Sequence, residues 1–300
     1  MHLKLTAADK TDVGKQREQN EDCAYKRVES TPEGDRGLFV VADGMGGYKA
    51  GEVASRLAVE TISKTLDSFF KPITEQPTMK LSPITVNPEA SEDAEKTMLL
   101  PPVSGKGNTA PKTRKLSEAA ISPVIEDQLT AAIQQANRAI LRYGEQQTAA
   151  RGLGSTVTVV LIQNDQAYIA NVGDSRTYLL RNNQLMTLTK DHSLVQKLVE
   201  SKQIEPEDVY THPQRNLIYR SLGAGHRSIE VDIFYETIQP GDILLLCSDG
   251  LWEMVRPQEL KKTLGEQASP QKICDSLIAM ANDSGGEDNI TAVVVHVNQN

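Results

Sequence analysis

Apolar residues recur at helical spacing in two stretches of the chain. Between Gly51 and Phe70, Val53, Leu57, Ala58, Ile62, Leu66 and Phe69 fall on one side of a 3.6-residue period, and from about Ile125 to Tyr143 the same holds for Leu129, Ala132, Ile133, Ala136 and Ile140. The other apolar runs are short and rich in β-branched residues: 37–42, 156–162, 167–172, 175–180, 242–247 and 291–297. Asn164-Asp165 and Asn182-Asn183 separate neighbouring runs with hairpin chemistry, so the pattern predicts a largely antiparallel sheet with helices packed on it, not alternating βαβ units.

Two segments break this pattern. Residues 71–115 are rich in Pro, Ser, Thr, Lys and Glu, and carry too little apolar surface to offset the entropy of ordering. They read as a flexible low-complexity insertion within a single domain spanning 1–300, either an inert linker or a carrier of Ser and Thr phosphorylation sites. A second excursion, Asp191 to Gly223, has a short helical pattern at Leu194, Leu198 and Val199 and then Glu205-Pro206-Glu207-Asp208. Lying between strand-like runs, residues 191–221 read as a flap over a site or as a surface connection.

Composition narrows the class. A chain of 300 residues with 39% hydrophobic content can bury a substantial core. A formal net charge of −8 gives no broad basic footprint for nucleic acid or anionic lipid. Cys23, Cys247 and Cys274 lack Cys-x-x-Cys spacing and read as thiols of a reducing compartment. No stretch approaches the roughly 20 apolar residues of a membrane span, and the first residues hold no signal-peptide core, so a cytoplasmic protein is expected.

Candidate chemistry lies in five acidic motifs: Arg17 to Asp22, Asp43-Gly44-Met45-Gly46-Gly47, Val172 to Arg176, Ser248-Asp249-Gly250-Leu251-Trp252 and Glu287-Asp288-Asn289-Ile290-Thr291. Any one Asp serves equally well as a cap or turn residue. Four of the five motifs, however, stand at an end of a strongly apolar run, and carboxylates that converge there need a cation to offset their repulsion. Oxygen ligands without Cys or a His pair suit Mg²⁺ or Mn²⁺ better than zinc. Two such ions can activate a water for attack on phosphorus or a carbonyl. The Arg17 guanidinium has the geometry to grip phosphate oxygens, or to form a surface ion pair. No Cys is followed by Arg six residues later, which excludes the Cys-x₅-Arg loop of a thiol phosphatase.

Taken in order, these motifs together with Gly154-Ser155-Thr156, Asp191-His192-Ser193 and Ser221-Leu222-Gly223 resemble the metal-dependent protein serine/threonine phosphatases of type 2C, particularly the bacterial form. The resemblance runs from about Asp12 to Val297. It implies an α+β fold, a β-sandwich of two antiparallel sheets flanked by helices, with a dinuclear Mg²⁺/Mn²⁺ centre at one end. It implies that Asp43 bridges both ions, that the Gly44 carbonyl contacts one, and that Asp249 and Asp288 complete the other. By the same resemblance Glu21, Asp22 and Asn289 are outer residues that orient water, Asp174 supports a third, weaker metal, and Arg17 binds the substrate phosphate. Met45 stands where many eukaryotic relatives carry a His proposed as general acid, so the resemblance implies that the leaving group is protonated by metal-bound water or by another residue; His192 is one candidate, or else a structural hydrogen-bonding group.

The implied reaction is hydrolysis of phosphoserine or phosphothreonine in proteins by a metal-bridged hydroxide, without a phosphoenzyme. A monomer acting on phosphoproteins, with a cognate serine/threonine kinase, is expected. Two other readings fit the same residues less well: a catalytically silent module that docks a kinase or phosphoprotein, and a hydrolase of non-protein phosphate esters.

Overall fold

The computed structural model describes residues 2–46, 50–71, 123–147 and 152–299. The insertion read at 71–115 lies outside the described residues from position 72 onward, as does Gly47. The chain begins with β1 (Leu3–Asp12), β2 (Asp22–Thr31) and β3 (Gly34–Met45), followed by α1 (Ala50–Thr65), which tightens into a 3₁₀ turn at Leu66–Phe70. After α2 (Pro123–Gln146) come β4 (Gly154–Ser155), β5 (Val157–Gln163), β6 (Gln166–Val172), β7 (Arg176–Arg181) and β8 (Gln184–Thr187). Then follow α3 (Leu194–Glu200), a 3₁₀ turn at Pro206–Tyr210, β9 (Leu222–Gly223), β10 (Asp232–Thr237) and β11 (Ile243–Cys247). Three helices, α4 (Asp249–Trp252), α5 (Pro257–Leu264) and α6 (Pro270–Asp283), precede β12 (Ile290–Gln299).

The strands form two sheets. One has the order β1-β12-β11-β7-β8; the other runs β10-β6-β5-β3-β4-β9, with β2 paired to β3. The pairings are antiparallel. Because side chains alternate along a strand, each buried strand serves two cores. Phe39, Val41, Val160, Ile162 and Ile169 meet Leu244, Leu246, Val293 and Val295 between the sheets. Their neighbours Leu38, Val40, Val159 and Leu161 face α1 and α2, while Leu245, Cys247, Ala292 and Val294 face α5 and α6. The result is the expected α+β sandwich with helices on both outer faces. Nearly continuous apolar runs such as 157–162 and 243–247 are what burial on two faces requires.

Both predicted helices and all six apolar runs are elements of this fold. The turns form as their sequence requires: Asn164 has φ 58°, and Asn182 and Asn183 have φ 50° and 58°. Strands β1, β2 and β10 were not predicted, since lysine, glutamate and aspartate interrupt their apolar alternation. Helix α6 was also missed, although its start is written plainly. The Ser269 hydroxyl accepts from the Lys272 N–H, Pro270 occupies the first turn, and Ile273, Cys274, Leu277, Ile278 and Ala281 make its buried stripe.

Candidate metal centre

The centre is built from strand ends. β3 brings Asp43 opposite Asp22 of β2, and the main chain of Asp43 is pinned on both sides. Its N–H donates to Thr156 Oγ1 at 3.1 Å, and its carbonyl accepts from the Thr156 N–H at 2.8 Å and from Ser155 Oγ at 2.9 Å. The next residue must be glycine. A Cβ on Gly44 would lie 2.1 Å from the carbonyl oxygen of Gly51, so only glycine lets β3 run this close to the start of α1.

The other carboxylates arrive the same way. Asp249 opens α4 directly after β11, and Asp288 sits two residues before β12. Ser248 Oγ donates to Asp22 Oδ2 at 2.7 Å and accepts from the Thr291 N–H at 3.0 Å, which ties β2, the β11–α4 junction and β12 together. Asp174 lies in the turn from β6 to β7 after Gly173, whose φ of 109° and 2.6 Å clearance from Thr156 Cβ admit no side chain.

Electrostatics show how closely the five motifs converge. Burial, and then the charges of Asp249, Asp22, Asp174 and Asp288, hold the Asp43 carboxyl far above its ordinary range. Asp249 is raised in the same way by burial and then by Asp174, Asp288, Glu253 and Asp22. Burial pushes Asp22 up to about 6, and burial with Asp191 nearby pushes Asp174 up to about 7. Oδ1 of Asp22 and Oδ1 of Asp249 are buried with no hydrogen-bond partner. Such oxygens carry a desolvation cost that a bound cation would offset. Among the described residues no three His, Cys, Asp or Glu side chains are grouped so that they could hold a metal ion as they stand. Asp288 is instead turned to Arg17, whose Nη2 donates to its Oδ2 at 2.6 Å. An all-oxygen set that repels itself and keeps unbonded buried oxygens fits a hard divalent cation.

Residues 14–282 match the family model described as protein phosphatase 2C. The chain belongs to the protein phosphatase 2C family. It is 36% identical over 296 residues to the serine/threonine phosphatase Stp of Listeria welshimeri, covering 98% of this chain and 96% of that protein. In fold it is similar to the Mycobacterium tuberculosis serine/threonine phosphatase PstP, with a TM-score of 0.73, 30% identity, and 98% and 99% of the two chains covered. It is likewise similar to the catalytic domain of PstP in complex with two manganese ions, with a TM-score of 0.72, 29% identity, and 99% and 100% covered.

Around the carboxylates of this type 2C chain, Asn289 plays a larger part than its place in a motif announces. Its Oδ1 accepts from the Glu21 N–H at 2.7 Å, and its Nδ2 donates to the carbonyls of Val13 and Gln19, both at 2.9 Å. One side chain thereby clasps both ends of the loop that carries Arg17. Glu21 in turn accepts from the Gly44 N–H through its carbonyl at 3.1 Å, while burial raises the pKa of its carboxyl.

His192 is 1% exposed, and both ring nitrogens are engaged. Nδ1 accepts from the Gly173 N–H at 3.0 Å, which leaves the proton on Nε2, 3.2 Å from Asp232 Oδ2. Burial lowers its pKa. In this arrangement His192 joins the Gly173 turn to β10, and its Nε2 faces Asp232 and, at 3.0 Å, Arg220 Nη1, not the aspartates of the centre.

Arg215 was not singled out from sequence. From the 191–221 segment it pairs with Glu253 and Glu287, each at 3.0 Å. A lone arginine in a polar connection carries no pattern that would have found it.

Proposed function

We propose that this chain hydrolyses phosphoserine and phosphothreonine in proteins, using two divalent cations held by Asp43, the Gly44 carbonyl, Asp249 and Asp288. The observation that carries this reading is the convergence of carboxylates from five separate motifs, with buried oxygens of Asp22 and Asp249 left unbonded. In this reading Asp174 would support a further, weaker ion. The two ions, when bound, supply an activated water as nucleophile for in-line attack at phosphorus, so no covalent phosphoenzyme is required. Mg²⁺ and Mn²⁺ suit the all-oxygen ligand set, and the similar PstP catalytic domain is described with two manganese ions.

The chain's own residues do the rest. Arg17 is half-exposed and reaches Asp288 from the open side; an arriving phosphoryl group offers its guanidinium a second set of oxygens to grip. Asn289 fixes the loop from which Arg17 reaches. Ser248 and Thr156 hold Asp22 and Asp43 at their positions against mutual repulsion. A phosphoprotein substrate implies a serine/threonine kinase acting upstream. We assign the reaction to a reducing compartment, the cytoplasm: Cys23, Cys247 and Cys274 are free thiols, and no helix among the described residues is long and apolar enough to cross a membrane.

The test is hydrolysis of a phosphothreonine peptide by wild type and Asp249→Asn, with Mn²⁺ and with a chelator. Wild-type activity that depends on Mn²⁺ and is lost in the variant is expected. Activity that survives both chelation and the substitution would sink the metal mechanism.

A further inference from the structure

Trp252 is the one tryptophan of the chain, and none of the roles assigned above uses it. It closes α4, one helical turn after Asp249, and is 2% exposed. Its indole N–H donates to the main-chain carbonyl of Asp174 at 3.0 Å. The Arg176 guanidinium lies 3.5 Å from its ring centroid, anchored by Asp191 at 2.6 Å and by the Tyr178 hydroxyl at 3.0 Å. On another side the Tyr210 ring meets it edge-on, with centroids 6.1 Å apart, and Arg256 covers Tyr210 at 4.0 Å.

This placement answers a mechanical need. Asp174 in the β6–β7 turn and Asp249 at the start of α4 are like charges brought together through Trp252, so the two carboxylates push apart. Trp252 stands three residues after Asp249 in α4, whose end is closed by the Glu253 N–H on the Asp249 carbonyl at 2.8 Å, and the indole bond fixes Asp174 relative to Trp252. A flat, rigid side chain makes such a brace at little entropic cost.

We propose that Trp252 is a positioning residue that braces Asp174 against Asp249, and that Tyr210, from the 3₁₀ turn at Pro206–Tyr210, holds the indole in its bracing orientation. The proposal rests on reading these carboxylates as a divalent-cation site. It assigns the indole N–H to the placement of the ion nearest Asp174, and the 206–210 turn to the support of that placement.

The experiment is calorimetric titration of Mn²⁺ without substrate into wild type, Trp252→Phe and Tyr210→Leu. Phenylalanine keeps a ring for Arg176 and Tyr210 but removes the N–H together with the rest of the indole. The weakest-bound Mn²⁺ is expected to lose affinity about fivefold in Trp252→Phe, the effect of one buried hydrogen bond, with the tighter ions unchanged. Tyr210→Leu is expected to shift the single-tryptophan emission and to weaken the same ion about twofold, a fraction of that hydrogen bond.

A wild-type isotherm for Trp252→Phe overturns the brace, and so does equal weakening of every ion, which would mark a merely structural residue. Unchanged emission and isotherm in Tyr210→Leu overturn the part given to Tyr210. Should Trp252→Phe fail to fold, wild-type indole emission is read during Mg²⁺ titration, and absence of any change overturns the brace. A wild type that takes up no divalent ion removes the metal reading as a whole, an outcome distinct from failure of the brace alone.

Discussion

Strand β11 has an aspartate at each end, Asp242 before it and Asp249 after it, and the fold treats the two in opposite ways. Asp242 is 1% exposed, yet both its oxygens are bonded. Arg181 Nε reaches Oδ1 at 2.8 Å and Nη2 reaches Oδ2 at 2.6 Å, and the Gln239 N–H adds a third contact at 2.9 Å. Arg181 extends the cluster to Glu236 at 2.7 Å. At the other end of the strand, Asp249 keeps a buried oxygen without a hydrogen-bond partner and faces Asp174, Asp288 and Asp22. One end is closed by its own counter-charge. The other keeps carboxylates that repel one another, a repulsion that a proton or a bound cation would relieve, which is how a site trades stability for function.

The sharpest test exchanges charge for amide at each end. Asp242→Asn strips a fixed partner from Arg181 in a buried cluster and is expected to destabilise the fold by about 3 kcal/mol in urea unfolding. Activity of the folded variant should stay within about twofold of wild type, because nothing at that end touches the reacting groups.

Asp249→Asn is expected to do the reverse. Phosphopeptide turnover should fall at least about 100-fold, the scale of losing a preorganised electrostatic group, while the metal-free protein melts a few degrees higher because a repelling charge is gone. If both substitutions destabilise the metal-free protein alike, the contrast between the two ends of β11 is wrong.

A pH series reads the same contrast without mutation. Asp22 and Asp174 have pKa values raised from 3.8 to about 6 and about 7 in the folded protein. A raised acid binds its proton more tightly when folded than when unfolded, so it costs stability as pH climbs from about 4 through the folded value. The metal-free protein should therefore melt higher at pH 5 than at pH 7.5, by about 5 °C. Saturating Mn²⁺ should remove or invert that difference. A metal-free melting temperature that rises from pH 5 to pH 7.5 would contradict the raised carboxylates.

How much of this was legible depends on what kind of signal each part leaves. The doubly buried strands β3, β5, β6, β11 and β12 announce themselves as unbroken apolar runs, and the hairpin asparagines mark their turns. β2 hides because charge falls on both of its faces, the exposed Lys26 on one and the half-buried Arg27 and Glu29 on the other, and its Val28 is exposed. In the site, the aspartates stand at strand ends and were readable as motifs. What could not be read was direction: that Asp288 turns to Arg17, that His192 spends both nitrogens on the Gly173 turn and Asp232, and that Asn289 laces a loop. Those follow from contacts between residues up to 276 positions apart, which no local pattern encodes.

Asn289 gives the smallest expected effect and the most specific one. Its three side-chain hydrogen bonds go to Val13, Gln19 and Glu21, and none goes to a carboxylate of the centre. Loss of these bonds should therefore free the Arg17 loop before it disturbs the cation ligands. Arg17→Ala is expected to raise KM for a phosphothreonine peptide about thirtyfold, the range of a charge-assisted contact to phosphate. Asn289→Ala, which leaves Arg17 in place but unclasped, should raise KM about fivefold with Mn²⁺ affinity unchanged, since positioning residues act at the lower end of such effects. The double variant should be no worse than Arg17→Ala alone, because the clasp acts through that guanidinium. Additive KM effects, or a fall in Mn²⁺ affinity in Asn289→Ala, would instead assign Asn289 to the cation site and return it to the water-orienting role that the family resemblance implied.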